Sequence, residues 1–477
     1  MSKYKKGLDN REEAIFSDHY FTKHADKLKM TKDSGDIETI VLDEKELKLI
    51  ADLNIAASEK HIEWLKTKIS TRIEMKKISQ TKDVFEEIIC ERQFTRGARN
   101  TCNWNRCTNL LEEALESNND IRCIIVGLPF KMPTILKCNS TKADLGEASF
   151  LLQLYEFCKV SEYIIKQYLQ PEWQGYMRFK VITDAKRFMN IVNIDQDAVN
   201  AYKASLEVWI DLLGIRQYVS IEDYTEVIMT RLPKERIELK EITRSSVEKQ
   251  YKKELGEFIS ASELHEKLKN IIKKEPDPEK NKTFGRFVSL FLSMIFTMKY
   301  TSLFEREADK ISCISSEEYI NSIDTIIRIL NQKEKQKNNI AKKSIEVMLN
   351  EAWNATIKYI AEIRSDRDMD KDILEECFPQ YIRWTIHKKS GQICIAARTL
   401  FGINLMPWHG VGMLKESGNT LKQYVIPYKM IEQEKSIKIS AKYNESEMPI
   451  TYIDKEIIDN YNLYDTLKLK LTRKTNG

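Results

Sequence analysis

The apolar positions along this chain follow two periods, and the change from one to the other divides it. From Asp43 to about Ser79, Leu47, Ile50, Ala51, Leu53, Ile62, Leu65 and Ile69 recur at helical spacing and predict one long helix with apolar faces. Residues before that stretch are polar and irregular. A second helix is predicted over Val84–Glu91, leading into the basic loop Arg92-Gln-Phe-Thr-Arg96-Gly-Ala-Arg99, and another over residues 105–117. The run Ile121–Leu128 is short and β-branched, as a buried strand requires, and it stops at Pro129-Phe130-Lys131-Met132-Pro133, where two prolines rule out regular structure. Ala143–Leu169 is helical, with Asp144 and Glu147 as acids suited to a helix N-terminus. Tyr176–Thr183 is a second strand, and a helix follows from about Gln196 to Leu213.

Strand, loop, helix, repeated, is the pattern of an open parallel sheet. Lys131 and Asp184 both fall just past the C-terminal ends of strands, the edge where such sheets place ligands. Residues 232–283 are rich in Lys and Glu and predict an exposed helical insertion, with a linker around Pro276 and Pro278. After the polar stretch 331–339, a helix is expected over about Ile340–Arg364. The tail turns to β patterning: Tyr381–His387 and Gln392–Ala397 predict strands joined by the turn Lys388–Gly391, and Met406-Pro-Trp-His409-Gly-Val leads into another strand. The longest apolar run, Phe287–Met298, falls short of the about 20 residues that a bilayer span needs, and predicts a buried helix.

Composition narrows the function classes. Lys and Arg number 76 against 72 Asp and Glu, so the formal charge is +4 and gives no global reason to expect nucleic acid or an anionic membrane. Nine cysteines, an odd number, are scattered without a CxxC, and the N-terminus lacks an apolar signal core. Both fit reduced thiols and a cytoplasmic location. Cys102 and Cys107 have no second pair at matching spacing, so a structural role is expected rather than half a metal site. The chain has no GxGxxG, GxxxxGKS, HExxH or GxSxG, so a dinucleotide, a P-loop nucleotide, a zinc peptidase centre and a serine nucleophile elbow are unsupported.

What remains is acid/base and anion chemistry. His387 and His409 stand in the β-rich tail, with Arg383 on the same strand face as His387, and a histidine there can exchange protons near neutral pH. Each histidine can equally be a hydrogen-bonded core group. Lys131 and Lys137 bracket a proline-broken loop ahead of a helix N-terminus, an arrangement suited to phosphate, though two surface lysines would read the same way. Asp144 and Glu147, one turn apart, together with Asp184 can supply carboxylates to one cleft. Composition and spacing end at an α/β enzyme handling a small phosphorylated substrate.

Taken in series, these strings resemble the pyoverdine/dityrosine biosynthesis family. Pro129-Phe130-Lys131-Met132-Pro133, Lys137 and Asp144-Leu-Gly146-Glu147 resemble its signature loop. Thr183-Asp184 with Phe188, Val199 and Tyr202 continues the match, Arg383-Trp-Thr-Ile-His387 resembles its Arg-x-Ser-Ile-His strand, and Phe401-Gly402-Ile403 with Pro407-Trp408-His409-Gly410-Val411 resembles its closing motif. The resemblance runs over about 121–212 and 374–415. Thr183-Asp184-Ala185 stands where the family has Ser-Asp-Gly, and Met132 and Thr134 replace polar loop residues, departures that bear on substrate more than on fold.

The resemblance implies an α/β fold with a Rossmann-like, mostly parallel sheet core; the residue pattern adds a helical N-terminal extension and a β-containing C-terminal part, and the first eighty residues and 232–283 have no counterpart in the family. The expected division is 1–100 for the extension, 101–230 for the core, 231–283 for the charged insertion and 284–477 for the part that completes the site. The bacterial branch resembles isocyanide synthases, which join an L-amino acid, often tyrosine or tryptophan, to ribulose 5-phosphate and keep its C2 as the isonitrile carbon. A fungal branch makes N-formyl-tyrosine. No cofactor and no metal are implied, and a downstream oxygenase of the same pathway is the protein partner to expect. On this reading Lys131, Glu147, Asp184, His387 and His409 are catalytic. Lys137, Arg96, Arg99, Arg383, Asp144 and Trp408 bind substrate or phosphate, Trp408 as a wall. A phosphosugar aldolase or isomerase and a non-catalytic binding protein are the readings of other classes.

Overall fold

The computed structural model of the chain describes residues 37, 39–131, 138, 140–258 and 260, isolated positions between 263 and 294, then 340–367, 369, 372–386, 390–396, 406–417, 420–426, 428, 431 and 435–455. Lys137, His387 and the Phe401-Gly402-Ile403 string lie outside the described residues.

The chain begins with β1 (Thr39–Leu42) and α1 (Glu44–Lys76), close to the helix that the periodicity predicts. Asp43 starts α1 with a capping box, its carboxylate accepting from Glu46 N–H while Glu46 returns a bond to Asp43 N–H. Short helices α2 (Thr81–Ile89) and α3 (Ala98–Thr101) lead to α4 (Trp104–Glu116). Then come β2 (Ile121–Val126), α5 (Leu145–Tyr168), β3 (Met177–Thr183), α6 (Ala185–Val192), α7 (Gln196–Leu212) and β4 (Val219–Asp223). Two of these, α6 and β4, are elements that the sequence pattern does not announce. The helix α6 spans eight residues, too few to display a period, and β4 has only two fully buried positions.

The segment α8 (Tyr224–Arg231), α9 (Lys234–Leu255), α10 (Ile340–Arg367) and α11 (Ile373–Cys377) separates β4 from β5 (Tyr381–Thr385) and β6 (Ile393–Cys394). Although α9 is highly charged, it buries Lys240, Val247, Tyr251 and Leu255, and it packs along α10. Phe287, Leu290, Phe291 and Met294 of the apolar run are helical and buried, with Phe287 and Phe291 edge-on to Trp353 of α10. Strands β7 (Val411–Ser417), β8 (Thr420–Ile426), β9 (Ser436–Tyr443) and β10 (Ser446–Asp454) close the chain. Among the described residues, no helix is long and apolar enough to cross a membrane.

The strands form two sheets. One is wholly parallel in the order β4-β3-β2-β5-β6. Counted from its own first strand this is 3-2-1-4-5, the order of doubly wound, Rossmann-type sheets. Side chains alternate across it as strand geometry demands. Cys123, Ile125, Phe179, Val181 and Trp384 join the cluster of α1, α2, α5 and α7, while Ile124 and Ile182 join that of α8 and α11. Burial on both faces explains why β2 is apolar almost throughout instead of alternating. Strands β5 and β6 pair in parallel, Trp384 opposite Ile393, so the turn between them does not fold back a hairpin.

The second sheet, β1-β9-β10-β7-β8, is mixed. Its edge strand β1 pairs in parallel with β9, which joins Thr39–Leu42 to the strands near the other end of the described residues. Between the sheets lies α5, buried along nearly its whole circumference, as expected for a helix apolar all round. Its start meets β7 and β8 of the second sheet.

Candidate active site

The order of the parallel sheet reverses between β2 and β5, and at such a point the loops leaving the two strands diverge and open a crevice. From β2 the chain passes Gly127 and enters Leu128, which is buried with φ of +52°, a backbone state costly for a branched side chain. Pro129 and Phe130 follow, and then Lys131, the only lysine besides Lys240 that the described residues bury.

Lys131 is 1% exposed. Its Nζ lies 2.8 Å from Asp144 Oδ2 and 2.9 Å from Glu147 Oε2, and both acids are themselves buried. Asp144 is the N-cap of α5 and Glu147 its N3 residue. Asp144 Oδ1 accepts from Gly146 N–H at 2.7 Å and Glu147 Oε2 from Asp144 N–H at 2.9 Å. A capping box is by itself only a way to start a helix. This one differs in being sealed from solvent with an ammonium between its two acids. The ammonium stands at ion-pair distance from both carboxylates.

Two further elements complete the cluster. Gly412 N–H of β7 donates to Asp144 Oδ2 at 3.1 Å, joining the second sheet to the start of α5. Tyr202 of α7 donates its hydroxyl to Glu147 Oε1 at 3.2 Å.

The electrostatics follow from burial and charge count. Burial opposes the Lys131 charge, but Asp144 and Glu147 outweigh it and hold its pKa above the usual lysine range. Burial pushes the Glu147 carboxyl up, Lys131 pulls it only part of the way back, Asp144 adds to the rise, and the result is about 7. Burial, then Glu147, raises the Tyr202 phenol well above its ordinary value, so it remains a donor. With both acids ionised the cluster carries one net negative charge. It takes up a proton near neutrality and does not offer a free cation to a phosphate.

The turn Pro407–His409 supplies a wall. Trp408 is buried, its ring 6.0 Å edge-on from Phe150, one helical turn beyond Glu147. It also lies over Gly127, where a Cβ would stand 3.2 Å from Trp408 Cη2. Gly410 is required after His409 because a Cβ there would fall 2.6 Å from the Ile426 carbonyl oxygen. His409 is half-buried beside the Trp408 ring.

Other expected residues are placed differently. Arg96 comes to the reversal edge, donating from Nη2 to the Ile386 carbonyl at 2.8 Å and from Nε to Cys394 Sγ at 3.1 Å. Arg99 does not, because its side chain is mostly exposed and paired with Glu86 at 2.8 Å. Arg383 points from mid-strand to the opposite face of the sheet, where Asp372 of the α11 cap takes it at 3.4 Å. Asp184 sits at the right sheet edge as the N-cap of α6, but the groups that feel its charge are Arg187 and Tyr359. Arg187 in turn is locked to Glu362 and Asp366, both at 2.6 Å, with Lys240 2.7 Å from Glu362 and Tyr224 3.1 Å from Asp366. The three carboxylates expected in one cleft thus divide between two clusters, Asp144 and Glu147 in the first and Asp184 beside the second.

Cys102 and Cys107 face each other, their sulfurs 3.4 Å apart. No group of three or more metal-ligating side chains stands together among the described residues. Tyr202 stands in the sequence as part of the family resemblance and as a helical core position, in step with Val199, Leu206 and Trp209, but with no site role assigned to it. The Gly412 contact left no sequence signal, since any residue except proline carries the same N–H.

One comparison bears on the family resemblance read from the sequence. A family model described as pyoverdine/dityrosine biosynthesis protein matches residues 111–312, a span that contains Lys131, Asp144, Glu147, Asp184 and Tyr202 and ends before Arg383, Trp408 and His409. Among solved structures, the chain is similar to the PvcA protein from Pseudomonas aeruginosa at 16% identity, over 77% of this chain and 97% of that one, with a TM-score of 0.38. No curated protein matches.

Proposed function

We propose that this chain is an isocyanide synthase that converts the amino group of an L-amino acid, tyrosine or tryptophan by preference, into an isonitrile with ribulose 5-phosphate as carbon donor. The observation that carries the proposal is the buried Lys131–Asp144–Glu147 cluster at the reversal edge of the parallel sheet, with Glu147 poised to exchange a proton near pH 7. The family match over that segment supports it.

The chemistry needs such a group. An amino acid amine must lose a proton before its nitrogen attacks the C2 ketone. Water then leaves to give the imine, and phosphate must be expelled before the sugar carbons depart and C2 stays on nitrogen. Glu147 accepts and returns these protons. Lys131 is a fixed cation that keeps Glu147 from being wholly neutralised by burial, and Asp144 anchors that cation to the helix start. A cluster with a net negative charge attracts the substrate ammonium, so the phosphate belongs elsewhere. Arg96, beside the end of β5, is the described cation best placed for it, and Lys137 is a further phosphate candidate from the sequence reading. Asp184, His387 and His409 are the further proton carriers proposed, and Trp408 closes the side over Gly127.

The test supplies purified protein with ribulose 5-phosphate carrying carbon-13 at C2 and a pool of L-amino acids. An amino acid that gains the labelled carbon and loses two hydrogens supports the proposal and names the substrate. A labelled product that retains oxygen would make it an N-formyl amino acid synthase. Sugar consumed without transfer of label would replace the proposal with a phosphosugar enzyme.

A further inference from the structure

We infer that Tyr202 is a positioning residue whose hydroxyl, donated from α7, holds the Glu147 carboxylate oriented and ionised. The inference deepens the proposed reaction and rests on it in one respect, that Glu147 carries protons during turnover.

The geometry gives the two Glu147 oxygens different work. Oε2 faces Lys131 and accepts from Asp144 N–H, whereas Oε1 faces Tyr202. Tyr202 is almost completely buried, and a phenol placed there without a partner would cost more than the phenylalanine that fills the same space. Its hydroxyl is therefore accounted for by the bond to Glu147.

The same stripe of α7 grips the entry to α5 by two other bonds. Ser205 Oγ accepts from Ala143 N–H at 2.8 Å, and Trp209 Nε1 donates to the Ala143 carbonyl at 3.4 Å. Positions 202, 205 and 209 are spaced i, i+3, i+7, so one helix face positions the backbone at Ala143 and the carboxylate at Glu147 together. The charged and titratable groups facing this carboxylate are Lys131 from the loop after β2, Asp144 from its own helix cap, Tyr202 from α7 and, through its influence on both Lys131 and Tyr202, buried Cys138. Tyr202 is a neutral donor bonded directly to the carboxylate, so it adjusts Glu147 without changing the charge of the cluster. A bond donated to the ionised form favours that form.

The experiment compares Tyr202→Phe with Ser205→Ala in the full chain. The protonation of Glu147 is followed directly by infrared difference spectroscopy of its carboxyl band, assigned by its loss in Glu147→Gln, and the pH profile of kcat/KM is recorded alongside. In Tyr202→Phe the Glu147 midpoint moves up by about one pH unit, the size expected for one hydrogen bond to a charged group. The limb of the rate profile that depends on it moves the same way. Ser205→Ala, which loosens the same helix entry without touching the carboxylate, leaves both where they are in the wild type. An unmoved midpoint in Tyr202→Phe, or an equal movement in Ser205→Ala, overturns the inference. If Tyr202→Phe does not fold, a fluorinated tyrosine at position 202 keeps the ring and strengthens the donor. The midpoint must then fall, and a constant one overturns the inference equally. Wild-type turnover in Glu147→Gln would instead remove Glu147 from the proposed reaction, an outcome the carboxyl titration does not depend on.

Discussion

Replacing Glu147 by glutamine should make the protein more stable at alkaline pH and much less active. The carboxyl of Glu147 is pushed from its ordinary 4.5 to about 7, chiefly by burial. Between those two pH values the folded chain holds a proton that the unfolded chain has released. Stability attached to this group is therefore fully present below about pH 4.5 and is lost as pH rises to about 7, the reverse of a salt-bridged acid with a lowered pKa. A gap of about 2.5 pH units corresponds to about 3 kcal/mol. Glutamine is neutral throughout. It retains an oxygen for Asp144 N–H and Lys131, and turns its amide N–H toward the Tyr202 oxygen. Urea unfolding of both proteins at pH 5 and pH 8.5, compared as differences between variant and wild type, cancels what the two chains share. The variant should lie within about 1 kcal/mol of wild type at pH 5 and about 3 kcal/mol above it at pH 8.5. Its turnover should fall by roughly 10²- to 10⁴-fold, the usual contribution of a general acid or base. Equal differences at the two pH values, or a variant less stable than wild type at pH 8.5, would refute the reasoning.

Lys131→Met should abolish turnover and also cost about 3–5 kcal/mol in urea unfolding near neutral pH, because it strands Asp144 and Glu147 without their cation; a stability equal to wild type would show that the ion pairs contribute nothing. Gly127→Val places branched carbons against the Trp408 ring, already 3.2 Å from a Cβ, and should cost about 1–3 kcal/mol and slow turnover at least tenfold, read by thermal melting and steady-state kinetics. Arg187→Met leaves Glu362 and Asp366 with less compensation in a buried network and should lower stability by about 3–5 kcal/mol, read by urea unfolding.

Much of the fold could be read along the chain. The helical period of Leu47, Ile50, Leu65 and Ile69 marks α1, and the β-branched run from Ile121 marks β2, because each pattern is imposed by burial on one element's own geometry. Elements too short to show a period, α6 and β4 among them, leave no such mark. The basic residues misled more than the apolar ones. Arg96, Arg99 and Arg383 look alike as candidate anion binders, yet one reaches the sheet edge, one pairs with Glu86 on the surface and one crosses to Asp372 on the far face. An arginine's partner depends on which element folds against it, and that is not a local property of the chain.

The parts of the site that lie close together along the chain are readable from its residues. Prolines end β2 ahead of Lys131, and the Asp144–Glu147 spacing makes a capping box, because both follow from backbone geometry within a few residues. Long-range packing is what turns the lysine back onto that box, closes it with Tyr202 and Gly412 from α7 and β7, and sets Asp184 against a different network. The separation also has an energetic cause. A lysine, an aspartate and a glutamate in sequence are three solvated charges, and the Glu147 carboxyl rises to about 7 only when the packing of two sheets around α5 removes their water.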